Sequence, residues 1–307
     1  MISAFIDYLR GVRRYSERTC ILYEEILRDF FSFAGCPPEG DVSALDYQTI
    51  RSYEVYLMET KEDGPRTVNL HLSALSSLCR YLMKEGLLDS NPVRLLKKPA
   101  QAKRIPEFFR EDALKAYFES TVGVMEFGDH KAKLNRIIIS TLYNTGIRRS
   151  ELVGLKRSSL DLSRRVLRVR GKGDKIREIP LLPSFCEEIS LYLQSQDSLK
   201  CADLSLDAPL FQTEKGSALY PVFVERVVKK ELGDVEGIGG RKSPHVLRHT
   251  LATELLDNGA DLFSIKELLG HSSLAATQVY THNSAERLRK VYENAHPRAK
   301  NGGKNGD

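Results

Sequence analysis

The sequence has no apolar run near the roughly 18 residues that a membrane-spanning helix needs. It has no Cys-x-x-Cys pair either. Five cysteines, Cys20, Cys36, Cys79, Cys186 and Cys201, are odd in number and widely scattered. That argues against a disulfide framework and fits free thiols in a reducing cytoplasm. A G-x-x-x-x-G-K-[ST] loop and a His-Glu-x-x-His pattern are both missing, so neither a P-loop nucleotidase nor a zincin-type protease is expected. The opening stretch MISAFIDYLRGVRRYSERT carries Asp7 and turns basic only after its apolar part, the reverse of a secretory signal. It reads as an amphipathic helix of the mature protein. One-signed charge is scarce as well: 46 Lys+Arg stand against 41 Asp+Glu, a net +5 that only mildly favours a polyanionic partner. Residues 1–108 carry 15 of each sign, so the whole excess lies beyond them.

What is present is mostly helical periodicity. A length of 307 residues predicts two domains, each able to bury a core. Ile2, Phe5, Ile6 and Leu9 keep the spacing of one helix face. Ser16 can cap a second helix with Leu22, Ile26, Phe30 and Phe33 inward, ending near Gly35. Asp46 can cap a third, with Ile50, Tyr53 and Leu57 inward. Pro65 opens a fourth, whose Val68, Leu72, Leu75, Cys79 and Leu82 are in register until Gly86. Residues 1–90 therefore form an all-helical domain. On it, Arg13, Arg14, Tyr15, Arg66 and Arg80 are either phosphate contacts or ordinary solvated residues. Residues 91–106 read as a linker, since Pro92, Pro99 and Pro106 disfavour continuous helix. Its Arg94, Lys97, Lys98, Lys103 and Arg104 suit either a strap along a phosphate backbone or a solvated connector.

The second domain is expected over residues 107–294. It begins with a helix over 110–120 and a strongly apolar one over 134–143 that ends at Gly146. Arg148 follows at once, and Glu151 is close enough to pair with it. Residues 165–170 and 175–179 read as strands joined by Gly171-Lys172-Gly173-Asp174, a hairpin whose glycines let the tip approach another backbone. Further helices are expected over 185–194 and 221–232. Residues 295–307 are Gly- and Lys-rich and expected to be disordered.

Chemistry concentrates in Ser243–Thr281, SPHVLRHTLATELLDNGADLFSIKELLGHSSLAATQVYT. It gathers His245, Arg248, His271 and Tyr280. A guanidinium presents a fork matched to two phosphate oxygens, imidazoles move protons near neutral pH, and a phenol can act as a nucleophile. That mixture suits a phosphodiester better than a carbonyl or a sugar. His245 and His249 lie four apart, as zinc ligands can, but no cysteine pair or third ligand accompanies them. No metal or other cofactor is expected, and His249 reads as a supporting or packing histidine.

These boxes, His245-x-x-Arg248, Leu269-Gly270-His271, Tyr280, the upstream Thr145-Gly146-Ile147-Arg148-Arg149-Ser150-Glu151-Leu152 and the Arg170–Lys175 hairpin, resemble the tyrosine site-specific recombinases, the phage-integrase family that includes the Xer proteins. The resemblance covers nearly the whole chain, in the expected order. It implies a mostly α fold: a SAM-like four-helix DNA-binding domain, then an α+β catalytic domain with a small antiparallel sheet. It also implies a site. Tyr280 would attack the phosphate, Arg148 and Arg248 clamp it, Lys172 protonate the leaving 5′-oxygen, His245 assist at Tyr280 and His271 bond the phosphate. The partners implied are a double-stranded DNA recombination site and a homo- or hetero-tetramer with a related recombinase on two duplexes. The tetramer would be linked by the helix after Tyr280, which otherwise packs on its own domain. A septal DNA translocase, a cytoplasmic location and chromosome-dimer resolution at cell division follow from the Xer type, with a mobile-element integrase or invertase as the alternative. A type IB topoisomerase, a silent DNA-binding protein and a zinc nuclease are the rival classes.

Overall fold

The computed structural model describes the chain except for Pro38, residues 101–108, Lys172, Gly173, Asp234, Glu236, Gly237, Gly239, residues 271–281 and residues 300–307; for 282–287 it describes the backbone alone. Contacts divide the chain into two compact units, 1–104 and 105–307.

The first unit is built from α1 (Ile2–Gly11), α2 (Glu17–Phe33), α3 (Tyr47–Glu59) and α4 (Pro65–Lys84). Local sequence sets their ends. Ser16 accepts the Thr19 amide, Asp46 accepts those of Gln48 and Thr49, and Pro65 occupies the first turn of α4, where its missing N–H costs nothing. The expected inward positions of α1, α3 and α4 are all buried. Helix α2 differs by phase. Ile26 and Phe30 are buried with Leu27 and Phe31, while Leu22 and Phe33 sit at the exposed edge. The sequence offers two overlapping apolar stripes there, and the bundle takes the one centred on Leu27 and Phe30; Phe33 instead stacks on Tyr56, with ring centroids 4.9 Å apart. The basic stretch after α4 starts as part of this unit, since Val93 and Leu96 join its core and Asn91 is buried against Ser76. On the surface, Tyr8, Arg13, Tyr15, Ser77, Arg80 and Tyr81 line a concavity of about 260 Å³.

The second unit is organised around α7 (His130–Thr145), every residue of which from Leu134 to Thr145 is buried. A helix enclosed on all sides must satisfy its polar groups internally. Asn135 donates to Glu231, Thr141 to the Ile137 carbonyl and Asn144 to the Ser140 carbonyl. Packed on it are α6 (Val124–Phe127), α9 (Pro183–Asp197), α10 (Pro221–Glu231) and α11 (Pro244–Asp257); α5 (Glu111–Ser120) contributes Leu114, Tyr117 and Phe118 to the same core. The sheet has the order β1 (Leu160–Asp161), β2 (Val166–Arg170), β3 (Ile176–Pro180), antiparallel throughout, with Leu167 opposite Ile179 and Val169 opposite Arg177. The two-residue β1 is too short to show any alternation in the sequence. Helix α13 (His282–Ala295) packs on its own domain, with Leu288, Tyr292 and Ala295 buried and the Tyr292 hydroxyl donating to the Asn144 carbonyl at 2.5 Å. Among the described residues no helix is long and apolar enough to cross a membrane.

One buried carboxyl inside this core is costly. Glu254 of α11 accepts the Tyr143 hydroxyl at 2.7 Å through one oxygen, while the other has no partner. Burial pushes its pKa up to about 7. The folded state therefore holds this proton more tightly than the unfolded state, whose group titrates near 4.5. The contribution to stability is fully present below about pH 4.5 and shrinks as pH rises toward 7. We expect Glu254→Gln, which keeps a partner for Tyr143 without a charge, to gain roughly 2–3 kcal/mol over the parent at pH 8 and almost nothing at pH 4.5. Denaturant midpoints at the two pH values check it; an equal shift at both would sink the idea.

Candidate active site

The C-terminal end of α12 (Leu262–Leu269) is where the site assembles. A helix ends with carbonyls that have no partner inside it and with partial negative charge. Gly270 closes α12 in the left-handed conformation (φ +68°), which leaves the last carbonyls pointing outward. Three consecutive ones are taken by three arginines from three elements. Arg177 Nε of β3 donates to the Leu268 carbonyl at 3.0 Å, Arg248 Nη2 of α11 to that of Leu269 at 2.6 Å, and Arg148 Nη2 to that of Gly270 at 3.0 Å.

Arg148 stands at the N-terminus of α8 (Arg149–Val153), immediately after the turn that ends α7. Gly146 makes that turn with φ +59°, and a Cβ there would lie 2.5 Å from Leu269 Cδ2, so only glycine fits. The Gly146 carbonyl accepts Arg248 Nη1 at 2.7 Å, which ties the second arginine to the peptide two residues before the first. Glu151 accepts the Arg148 backbone N–H and its Nη1, both at 2.8 Å, as its spacing predicts. Arg148 remains 38 % exposed at its side chain, whereas Arg248 is buried. Burial, and then repulsion from Arg148, pull the Arg248 pKa down to about 10, still charged at neutral pH. His245, one turn before Arg248 on α11, is exposed. Partial burial and the neighbouring His249, Arg248 and Arg148 hold its pKa below the usual imidazole value, which favours the neutral, proton-accepting form at pH 7.

His249 departs from the packing alternative of its sequence reading only: it is exposed, with its ring edge-on to His245 at 4.6 Å between centroids, where the supporting alternative would place it. Arg149, left without a role by the sequence, pairs with Glu225. Lys172, His271 and Tyr280 lie outside the described residues. The described flanks of the hairpin are β2 and β3, and Gly171 donates its N–H to the Lys175 carbonyl at 2.8 Å. Arg177 was not singled out by the sequence reading. It is buried and grips Glu151 with both terminal nitrogens, at 3.0 and 2.9 Å. Its signal was the strand period: Arg177 shares a face with Ile179, and an arginine on an inward face needs a buried carboxylate. Among the described residues no three His, Cys, Asp or Glu side chains gather as metal ligands would.

Two arginines from separate elements are held on one helix end within a mostly helical domain, with His245 one turn from the second of them, and such a cluster of cationic donors suits an anion. Residues 107–287 match the phage integrase family, and residues 2–86 match the phage integrase N-terminal SAM-like domain. The chain belongs to the phage integrase family, the site-specific tyrosine recombinases, enzymes that transfer DNA strands. Tyrosine recombinase XerC of Bacillus licheniformis is 38% identical over 308 residues, covering 98% of this chain and 97% of that relative. The Bacillus subtilis strain 168 tyrosine recombinase XerC is 34% identical over 305 residues, with coverage of 97% and 96%. Among solved structures, XerH site-specific recombinase bound to palindromic difH substrate in a post-cleavage complex shares the fold, with a TM-score of 0.69 at 22% identity over 95% of this chain and 84% of that one.

Proposed function

We propose that this protein is a Xer-type recombinase that cuts and rejoins DNA through a 3′-phosphotyrosine intermediate. The observation that carries the reading is the convergence of Arg148 and Arg248 on the end of α12, with His245 one turn from Arg248. In this mechanism the two guanidiniums hold the non-bridging oxygens as negative charge grows on them. Tyr280 attacks phosphorus and gives its proton to His245, the bond to the 5′-oxygen breaks, and Lys172 protonates that oxygen as it leaves. His271 bonds the phosphate. The phosphotyrosine bond conserves the energy of the diester, so a second strand's 5′-hydroxyl can reverse the attack without ATP or a metal.

The rest of the reading extends the resemblance of the sequence motifs. Residues 1–90 act as the helical DNA-binding domain, 91–106 as the basic linker and 107–299 as the catalytic domain; Ala295, His296 and Pro297 are buried and Arg298 pairs with Glu188, so residues 295–299 belong to that domain and not to the tail expected from 295 onward. Four protomers on two duplexes exchange strands through a Holliday junction, and the biological task is resolution of chromosome dimers by a cytoplasmic enzyme. The near full-length similarity to proteins named tyrosine recombinase XerC supports this over a mobile-element role.

The test is a nicked suicide substrate built on a site recovered by selection from a genomic library. In EDTA, the parent should give a denaturant-resistant protein–DNA adduct and Tyr280→Phe none. Specific binding without adduct would leave a silent DNA-binding protein, and an adduct that persists in Tyr280→Phe would move the nucleophile elsewhere.

A further inference from the structure

Arg177 lies outside the set of residues assigned to the reaction, yet its side chain is committed to the groups that hold two of them, Arg148 and Arg248, in place. Its guanidinium grips Glu151 with Nη1 and Nη2 at 3.0 and 2.9 Å, and its Nε reaches the Leu268 carbonyl at 3.0 Å. Glu151 in turn holds Arg148 by backbone and side chain, and the Leu268 peptide leads directly to the carbonyls that take Arg248 and Arg148. Two glycines lie against the same guanidinium. A Cβ on Gly270 would stand 3.0 Å from Arg177 Nη1, and one on Gly171 would stand 3.5 Å from both Nη1 and Glu151 Oε1. Gly270 precedes His271 and Gly171 precedes Lys172.

We propose that Arg177 is a positioning residue for strand cleavage: through Glu151 and the Leu268 carbonyl it sets Arg148 and the end of α12 in the geometry that clamps the phosphate. The inference rests on the reading above of Arg148 and Arg248 as the clamp. The chemistry demands an arginine. Bidentate contact with a carboxylate plus a third donor pointing another way is available from a planar fork and not from a lysine ammonium, which is a single point charge. An arginine in place also neutralises Glu151. Burial alone would raise that carboxyl's pKa, but Arg177 and Arg148 hold it below the usual carboxylate range, so it stays a charged acceptor. Without Arg177, Glu151 would face Arg148 alone and draw the guanidinium back toward itself and away from the phosphate.

Supporting groups of this kind change activity by about 10–100-fold at metal centres, and a similar loss is expected here. Arg177→Gln and Arg177→Lys should form the phosphotyrosine adduct about 10–100-fold more slowly at saturating protein, while affinity for the DNA site stays within about threefold. Arg177→Lys keeps the charge opposite Glu151 and guards against a variant that fails to fold; rates are compared below the melting temperature of each. A double variant, Arg177→Gln with Glu151→Gln, separates positioning from general loosening. If Arg177 acts through Glu151, the pair is no slower than the slower single variant, whereas independent structural damage multiplies. Parent-like cleavage by both single variants, or multiplied losses in the double, overturns the proposal while leaving the recombinase reading intact. No adduct from the parent itself would overturn that reading, and this proposal with it.

Discussion

Arg248→Ala is expected to slow adduct formation by about 10²–10³-fold while leaving affinity for the DNA site nearly unchanged. The size follows from what the side chain does twice over. In the proposed mechanism it is one of two forks that donate to the transferring phosphoryl group, and losing one comparable oxyanion donor costs about 2.7–4 kcal/mol of transition-state stabilisation. As a buried strut it joins the Gly146 and Leu269 carbonyls, so truncation also loosens the junction between α7 and α12. Arg148→Ala removes the other fork with less structural damage, because Arg148 is 38 % exposed at its side chain and contacts α12 at only the Gly270 carbonyl. Arg248→Lys restores charge without the planar fork and should recover stability more than rate. Single-turnover adduct formation on the nicked substrate, with melting temperatures measured beside it, tells these apart. A parent-like rate in Arg148→Ala would remove it from the clamp, whatever its effect on folding.

How much of this site the sequence disclosed depends on the separation between partners. Arg148 and Glu151 are three residues apart, and their pairing followed from helix geometry; Gly146 followed from the need to end α7 before the next helix begins. Caps were legible for the same reason, since Ser16 and Asp46 act within three residues. Arg177 was not legible because its partners lie 26 and 91 positions away. Arg165, Arg168 and Arg170 stand near it on the same hairpin and made it look like one more surface charge. The stacking of three arginines on three successive carbonyls needs α11, β3 and the α8 start to meet one helix end, and no local pattern encodes that meeting. In α2 the difficulty was different: the apolar residues there satisfy two faces, and only packing in the bundle, against α1 and α4 above all, chooses between them.

Glu188→Ala is expected to destabilise the catalytic unit by about 3–5 kcal/mol at pH 7, because it strands two buried charges. Glu188 Oε1 accepts Arg136 Nη2 at 2.9 Å and Arg298 Nη2 at 2.7 Å, and Ser140 donates to its other oxygen. Both guanidiniums lie over the Phe118 ring, 4.9 and 4.3 Å from its centroid, so without the carboxylate two like charges would be left beside one ring. Arg298→Ala should cost less, since it leaves the Arg136–Glu188 pair intact, but it releases the residues that follow α13. Burial would raise the Glu188 pKa; the two arginines and Ser140 outweigh it and hold the group below the usual carboxylate range. A depressed pKa contributes stability that is present above the unfolded value of 4.5 and is lost as pH falls through the folded one. The gap between parent and Glu188→Gln should therefore be wide at pH 7 and close on acidification below about pH 4. Glu151, also depressed, adds to the acid loss, whereas Glu254 loses stability in the opposite direction as pH rises toward 7. In melting experiments, about 2–4 °C per kcal/mol for a unit of this size predicts a drop of roughly 6–20 °C for Glu188→Ala at pH 7. A shift under about 2 °C would mean that the two arginines find other partners, and that the packing of α13 owes nothing to this carboxylate.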